Sequence, residues 1–357
     1  MAPRPKIAGR GTRQNPENRY ERIHIEPELL GEDDATLPKE PTQFYRDTSR
    51  TALAQNDSPD VGFRFSLNPY RGCEHGCIYC YARPTHEYLS FSAGLDFERR
   101  IMIKEDAPAL LRQTFLSRRW QPQVVALSGN TDCYQPIERC LQLTRRCLEV
   151  FRDFRNPVSL ITKSALIIRD IDLLGALASH DAVHVVVSLT TLDPELARRM
   201  EPRAATPERR LAAIATLSAA GIAVGVNVAP VIPGLNDSEI PAILAHAAAA
   251  GARTADWLLV RLPCPVDQLF TDWLERNYPE RRSRVLGRIR ECRGGRLSDA
   301  RFGHRHRGEG PYAAQIAALF RTAARRAGLD QSLPPLSAAA FRRPAVSPAI
   351  ADQLRLC

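Results

Sequence analysis

Six short β-rich runs alternate with stretches that read as helix, and this alternation constrains the fold more than any other feature. The runs are Phe63–Leu67, Val124–Ser128, Val158–Thr162, Val183–Leu189, Val224–Ala229 and Trp257–Leu262. Between them lie Ala107–Phe115, Ile137–Phe151, Ile171–Ser179, Pro207–Ala220 and Ser238–Ala250, which are amphipathic or rich in Ala and Leu. Gly221 and Gly251 stand where helix C-caps are expected, because glycine accepts the left-handed backbone found there. Strands separated by helices pair in parallel through right-handed crossovers. The fold class is therefore α/β, with Arg100–Lys104 as an extra strand. The pattern leaves two architectures open, a doubly wound sheet and an incomplete barrel. Both bind ligands at the C-terminal ends of their strands. Polar groups gather there: a cysteine loop follows the first run, Ser128–Asp132 the second and Thr162-Lys163-Ser164 the third. Ser188, Asn227 and Arg261 lie at the ends of the last three.

The 357 residues divide by composition. Residues 1–60 are polar, with scattered Pro, Asn and Asp, and read as a partly disordered N-terminal extension. Residues 61–265 carry the βα core. Residues 266–357 read as a mainly helical C-terminal extension, with helices near Asp267–Arg290 and Pro311–Ala327 around a Gly/His/Arg-rich loop, Gly294–Gly310. The net charge of +9 is concentrated in the last quarter: Thr271–Cys357 holds 17 Arg and no Lys against 8 acidic residues, while the remainder holds 32 of each sign. Such a segment suits a nucleic acid or another polyanion, or a solvated surface. In its loop, His304 and His306 with Arg305 and Arg307 suit a phosphate, a metal or solvent. No apolar run is long enough to span a bilayer and the start lacks a secretory stretch, so no membrane partner and a cytoplasmic location are expected.

Nine cysteines in a chain of this length do not suggest a disulfide scaffold, and the first three suggest a metal site. Asn68–Arg83 reads NPYRGCEHGCIYCYAR, which sets Cys73, Cys77 and Cys80 in a CxxxCxxC arrangement. Thiolates are soft ligands that suit iron–sulfur clusters or zinc. A structural zinc normally takes four ligands, so a zinc reading needs His75 or a distant cysteine. Three cysteines on one loop would instead leave one iron of a cubane open to a substrate or cofactor. Gly72 and Gly76 permit the tight turns that such a loop requires. Cys140 and Cys147, seven apart on an expected helix, read as packing residues on one face. Cys264, Cys292 and Cys357 lack an iron–sulfur spacing.

At these residues the sequence resembles the radical S-adenosylmethionine (radical SAM) superfamily and, within it, the branch related to spore photoproduct lyase. The resemblance runs from Phe44 to about Phe320. It is carried by SLNPYRGCEHGCIYCYAR, SGNTDCYQPIER (Ser128–Arg139), ITKSALIIRDIDLL (Ile161–Leu174), VSLTTLDPELARRMEPRAATPERR (Val187–Arg210) and VAPVIPGLND (Val228–Asp237). It implies a partial (β/α)6 TIM-like barrel. It also implies that Cys73, Cys77 and Cys80 ligate a [4Fe–4S] cluster whose fourth iron binds SAM. One electron, from a donor such as flavodoxin or ferredoxin, would cleave SAM to a 5′-deoxyadenosyl radical that takes a hydrogen from substrate. The cofactor supplies the hard chemistry, and the protein supplies orientation and exclusion of water.

The same resemblance implies SAM contacts. Tyr79 matches the aromatic near adenine. Ser128, Gly129, Asn130 and Thr131 stand where the amino group is held, although the familiar Gly-Gly-Glu form is absent. Lys163 suits the SAM carboxylate. Ser188 suits the ribose, as do Glu201 and Arg203 unless these two pair with each other. Asp132, Tyr134, Gln135 and Glu138 fall on the substrate side. Cys133 is either a hydrogen-atom donor to a product radical or a small core residue. The substrate is a nucleic acid or nucleotide on one reading and a small molecule or peptide on another. A third reading is a non-enzymatic zinc or electron-transfer module.

Overall fold

The computed structural model describes residues 9–20 and 41–344. Cys357 and most of the first forty residues lie outside the described residues. Ten strands occur among the described residues: β1 Gln43–Arg46, β2 Leu53–Gln55, β3 Phe65–Leu67, β4 Tyr70–Arg71, β5 Arg100–Ile103, β6 Val125–Leu127, β7 Val158–Thr162, β8 Val183–Ser188, β9 Ala223–Val231 and β10 Thr254–Leu259. Seven form one open sheet in the order β10-β9-β8-β7-β6-β3-β2. Its six parallel strands are the six runs expected from the sequence, and β2 adds antiparallel to β3. β5, the extra strand expected at Arg100–Lys104, sits in a separate sheet between β1 and β4. The architecture is α/β, a partial TIM-like barrel that does not close.

The parallel strands are apolar because helices cover them. Leu160 of β7, Val185 of β8 and Val224 of β9 are buried with Phe115, Phe151, Leu217 and Leu244 from the crossover helices in one core. Two of those helices end as expected. Gly221 (φ +78°) and Gly251 (φ +91°) take the left-handed turn, and Ile222 N–H then bonds back to the Leu217 carbonyl at 3.1 Å.

Two expected helices are each broken. Ile137–Phe151 becomes Glu138–Leu141 and Leu143–Phe154, separated by Gln142 at φ +49°. The break rotates the two pieces out of register. Cys140 is therefore exposed and Cys147 buried, and the single face expected for them does not exist. Asp267–Arg290 becomes Val266–Asn277 and Pro279–Glu291, parted at Tyr278, the residue that Pro279 forces out of the helical region.

The C-terminal helices pack against the core. Phe270, Trp273, Val285 and Ile289 share a buried cluster with Ile78 and Tyr79 of the cysteine loop. Trp273 Nε1 also donates to the Arg199 carbonyl at 3.0 Å. Helix Gly310–Arg326 lies on Ile240–Ala249. Residues 9–20 run along the cysteine loop, with Thr12 fully buried. No helix among the described residues is long and apolar enough to cross a membrane.

Two glycines give opposite expectations. A Cβ at Gly221 meets nothing within 4 Å, so Gly221→Ala suffers only the left-handed backbone and should cost about 1–2 kcal/mol. Gly175, inside helix Ile171–Ala178, is equally unobstructed and has no positive φ. Gly175→Ala should stabilise by about 1 kcal/mol. Urea unfolding midpoints of the two variants should move in opposite directions.

Candidate active site

The cysteine loop leaves β4 through Gly72 (φ +79°) and turns again at Gly76 (φ +67°). Cys73 N–H bonds to the Phe97 carbonyl at 2.9 Å, Cys80 N–H to the Cys77 carbonyl at 3.2 Å and Ile78 N–H to the Met200 carbonyl at 3.0 Å. A fully buried arginine clamps the loop from behind. Arg83 Nε and Nη2 donate to the Cys77 carbonyl at 3.0 and 2.9 Å, and Nη2 pairs with Glu98 Oε1 at 2.6 Å. Glu98 also accepts the backbone N–H groups of Gly11 and Thr12 at 2.9 and 3.1 Å. This contact with the chain's early residues requires glycine, since a Cβ on Gly11 would lie 1.7 Å from the Gly76 carbonyl oxygen.

Cys73 and Cys77 are buried and Cys80 is half-buried. Burial pushes all three thiols up, and Cys73 is raised further by Asp132 and by the other two cysteines. Lys163 opposes the rise at Cys77 and Cys80, joined by Arg210 at the former and Arg83 at the latter. Three mutually close, desolvated thiols beside fixed cations fit a metal centre, which deprotonates its thiol ligands outright. Thiols sharing one zinc must come within about 4 Å of each other, given a Zn–S distance of ~2.3 Å. Among the described residues, no group of three His, Cys, Asp or Glu is placed to hold a single ion. Three desolvated thiols on one loop are soft donors of the kind that iron–sulfur clusters and zinc both take.

Around this loop the sequence-derived candidates separate into two sets. Tyr79, Lys163 and Glu201 come together: Lys163 Nζ lies 6.0 Å from the Tyr79 ring centre, and the Tyr79 hydroxyl donates to Glu201. Glu201 pairs with buried Arg210, whose Nη1 donates to the Ser188 carbonyl at 3.1 Å. Burial raises the Glu201 carboxyl and Arg210 opposes it. Arg203 takes no part in that network. It pairs with Glu74 at 3.1 Å, so the alternative in which Glu201 and Arg203 join each other is not what the chain adopts. Ser188, Asn227 and Asp256 form one row across β8, β9 and β10. Asn227 Oδ1 is buried without a hydrogen-bond partner.

The second set props the loop. Ser128 (φ +76°) donates its hydroxyl to the Thr131 carbonyl at 2.7 Å, and Thr131 donates its own to the Tyr70 carbonyl at 2.5 Å. Asn130 and Thr131 N–H groups go to Asn68 Oδ1 at 2.9 and 3.3 Å, and the Gly129 carbonyl accepts from Tyr81 at 2.8 Å. Asp132 receives Thr162 Oγ1 and Lys163 N–H at 2.8 Å each, with His75 Nδ1 at 3.4 Å. Burial holds His75 down at about 4, so this contact is made by a neutral ring. Gln135 bonds the Glu74 N–H at 2.9 Å and the Gly72 carbonyl at 3.2 Å. Tyr134 donates to Asp170 at 3.1 Å. Glu138 accepts from Tyr70 at 2.5 Å, from Thr144 N–H at 3.0 Å and from Arg169 at 2.7 Å. Tyr134, Gln135 and Glu138, expected on the substrate side, are buried, and these hydrogen bonds engage them. Cys133 lies in the main core with no accessible surface, beside Ser128 and Thr144.

The two edges of the sheet approach each other through loops. Arg305, in the Gly/His/Arg loop, pairs with Asp60 at 2.5 Å, and Gly303 N–H donates to Asp60 at 2.8 Å. Asp60 belongs to the β2–β3 connection. In the same loop, the His306 carbonyl accepts the Leu259 N–H of edge strand β10 at 2.8 Å. His304 faces Glu309 at 3.5 Å. Reasoning from sequence missed Arg83, Glu98 and Arg210. All three look like ordinary surface charges in sequence, and no spacing rule marks them.

The sequence model of the radical SAM superfamily matches residues 67–247, just over half of the chain. The chain belongs to the radical SAM superfamily. An uncharacterized protein of Mycobacterium tuberculosis is 41% identical over 253 residues, covering 70% of this radical SAM chain and 73% of its relative. One from Methanocaldococcus jannaschii is 29% identical over 225 residues, covering 63% and 80%. Among solved structures, spore photoproduct lyase complexed with dinucleoside spore photoproduct aligns with a TM-score of 0.55 over 79% of each chain at 16% identity. That likeness is one of fold. The radical SAM chain is an enzyme of the α/β class whose family uses SAM.

The buried placement of Glu138 generates a test. Glu138→Ala would leave the buried Tyr70 hydroxyl and the Thr144 N–H without their acceptor, while Arg169 keeps Asp170, and should cost about 2–4 kcal/mol. A thermal melt that left the midpoint unchanged would return Glu138 to the substrate side.

Proposed function

We propose that Cys73, Cys77 and Cys80 hold a [4Fe–4S] cluster, and that SAM binds beside it along the C-terminal ends of β6 to β9. When bound, this pair supplies one-electron cleavage of the SAM sulfonium, giving a 5′-deoxyadenosyl radical that abstracts hydrogen from substrate. The observation that carries the reading is three desolvated thiols on one loop at the C-terminal rim of the parallel sheet, whose strand β9 holds an unsatisfied buried Asn227 Oδ1. A buried acceptor without a donor is costly and marks where a ligand group belongs.

The chain's own residues have defined tasks in this reading. Tyr79 is held by Glu201 and Thr190, so its ring is fixed against the cofactor. Lys163 has its backbone N–H anchored by Asp132, which leaves the ammonium to meet the SAM carboxylate. Asn227 and Ser188 serve the ribose or adenine. The hydroxyls of Ser128 and Thr131 and the N–H groups of Asn130 and Thr131 are already engaged, so the 128–131 loop serves SAM through the Asn130 side chain. Arg83 keeps the Cys77 carbonyl in place while the thiol ligates. Residues 61–265 carry the chemistry, with the flanking segments as supports. The cysteines work reduced in the cytoplasm, and a flavodoxin or ferredoxin supplies the electron. The substrate is a nucleic acid or nucleotide, favoured over a peptide by the arginines at the mouth of the barrel.

Anaerobic reconstitution of the full chain with iron and sulfide, followed by dithionite and SAM, should release 5′-deoxyadenosine, read by chromatography. Cys73→Ala, Cys77→Ala and Cys80→Ala should each lose bound iron and that product. A fully loaded cluster that produced none would defeat the radical reading, and iron retained in all three variants would defeat the ligand assignment.

A further inference from the structure

Arg261 follows edge strand β10 and points across the open mouth. Its guanidinium lies over the ring of Tyr81, 5.5 Å from the centre. Tyr81 comes from the opposite side of the mouth: it follows Cys80 and hydrogen-bonds the Gly129 carbonyl beyond β6. The Tyr81 ring is 44% exposed, so the face beneath Arg261 is open to a ligand.

Arg261 is half-buried, and its Nε is buried with no hydrogen-bond partner. The nearby carboxylates are taken: Asp60 pairs with Arg305 at 2.5 Å, and Asp299 pairs with Arg301 at 2.7 Å. The other neighbours add positive charge. Buried Arg293 spends its guanidinium on the carbonyls of Val260, Leu259 and His304 at 2.7, 3.3 and 3.0 Å. Burial and Arg261 hold Arg293 down at about 10, and the same burial together with Arg305 lowers Arg261. His306 is lowered by burial, Arg261 and Arg305. Arg261 and Arg305 thus share one carboxylate, Asp60, at the place where a substrate must enter, and Arg293 adds positive charge beside Arg261. A planar fork with a free, partly desolvated donor edge is the complement of a phosphate oxygen pair.

We propose that Arg261 receives a phosphate group of the substrate and holds it over Tyr81 at the barrel mouth. The inference rests on the radical SAM reading only for where the substrate lies. It assigns the substrate class, a phosphate ester, whose organic part extends from Tyr81 toward the cysteine loop. A residue kept for a ligand rather than for folding leaves a signature, because removing an uncompensated charge relieves the apo protein.

The test is thermal melting of the full chain at constant ionic strength, with inorganic pyrophosphate, deoxyadenylate or a short single-stranded oligodeoxyadenylate against chloride. Each probe should raise the wild-type midpoint. In R261M the apparent affinity should fall about 10- to 100-fold, the loss of a charge-assisted hydrogen-bond pair. R261K should recover part of it. R325A removes an equal charge near the start of β10, at the far end of the sheet, and should bind as wild type. Without ligand, R261M should melt at or above the wild-type midpoint. If R261M binds all probes as wild type does, or if wild type binds none, the proposal is overturned. A preference for the oligonucleotide over the mononucleotide would support a polymer source, and equal binding would support a small phosphate ester. Cys73→Ala should keep the Arg261-dependent response, so failure of the radical chemistry and failure of the phosphate site are read separately.

Discussion

The buried pair between Arg83 and Glu98 organises what surrounds the cysteine loop. Neither side chain reaches solvent. A charge in such a place is tolerated only when each lone pair and donor is matched. Arg83 is matched by the Cys77 and Gly94 carbonyls as well as by Glu98. Glu98 is matched by Arg83 and by two backbone N–H groups of the early segment. One ion pair thereby connects the loop that carries the thiols, the helix Leu95–Arg99 and residues 9–20. The geometry of the three cysteines is a consequence of that connection as much as of their own spacing.

Electrostatics divides the rim into two parts. On the β7–β9 side, Arg210 pairs with Glu201 beside Tyr79, and the Lys163 ammonium lies over the Tyr79 ring. On the β10 side, arginines outnumber carboxylates. The basic excess of the last quarter is only partly a solvated surface. Arg276, Arg282, Arg288 and Arg301 are paired with neighbouring acids, whereas Arg293 and Arg305 are built into the mouth.

What was legible in the sequence follows from periodicity and spacing. Strands covered on both faces read as apolar runs, so the six parallel strands fall within a few residues of their expected places. β1 is exposed along its whole length and β4 has two residues, so neither leaves a pattern to read. The break at Gln142 was hidden because an apolar helix pattern continues through it. The cysteine spacing exposed the loop, and strand ends exposed Lys163, Ser188, Asn227 and Arg261. The roles of Ser128–Glu138 were not legible. A polar residue after a strand looks the same whether it faces a ligand or ties down a neighbouring loop, and here most of that stretch does the latter.

The two edges of the open sheet meet through Asp60 and the 301–306 loop, by side-chain and single-amide contacts rather than a strand ladder. Parting them breaks no sheet. The barrel wall is therefore stiff along its six strands and compliant along one line. That line runs beside Tyr81 and Arg261, so the enzyme's aperture can widen by parting one side-chain ion pair and single amides, a less costly motion than separating paired backbone.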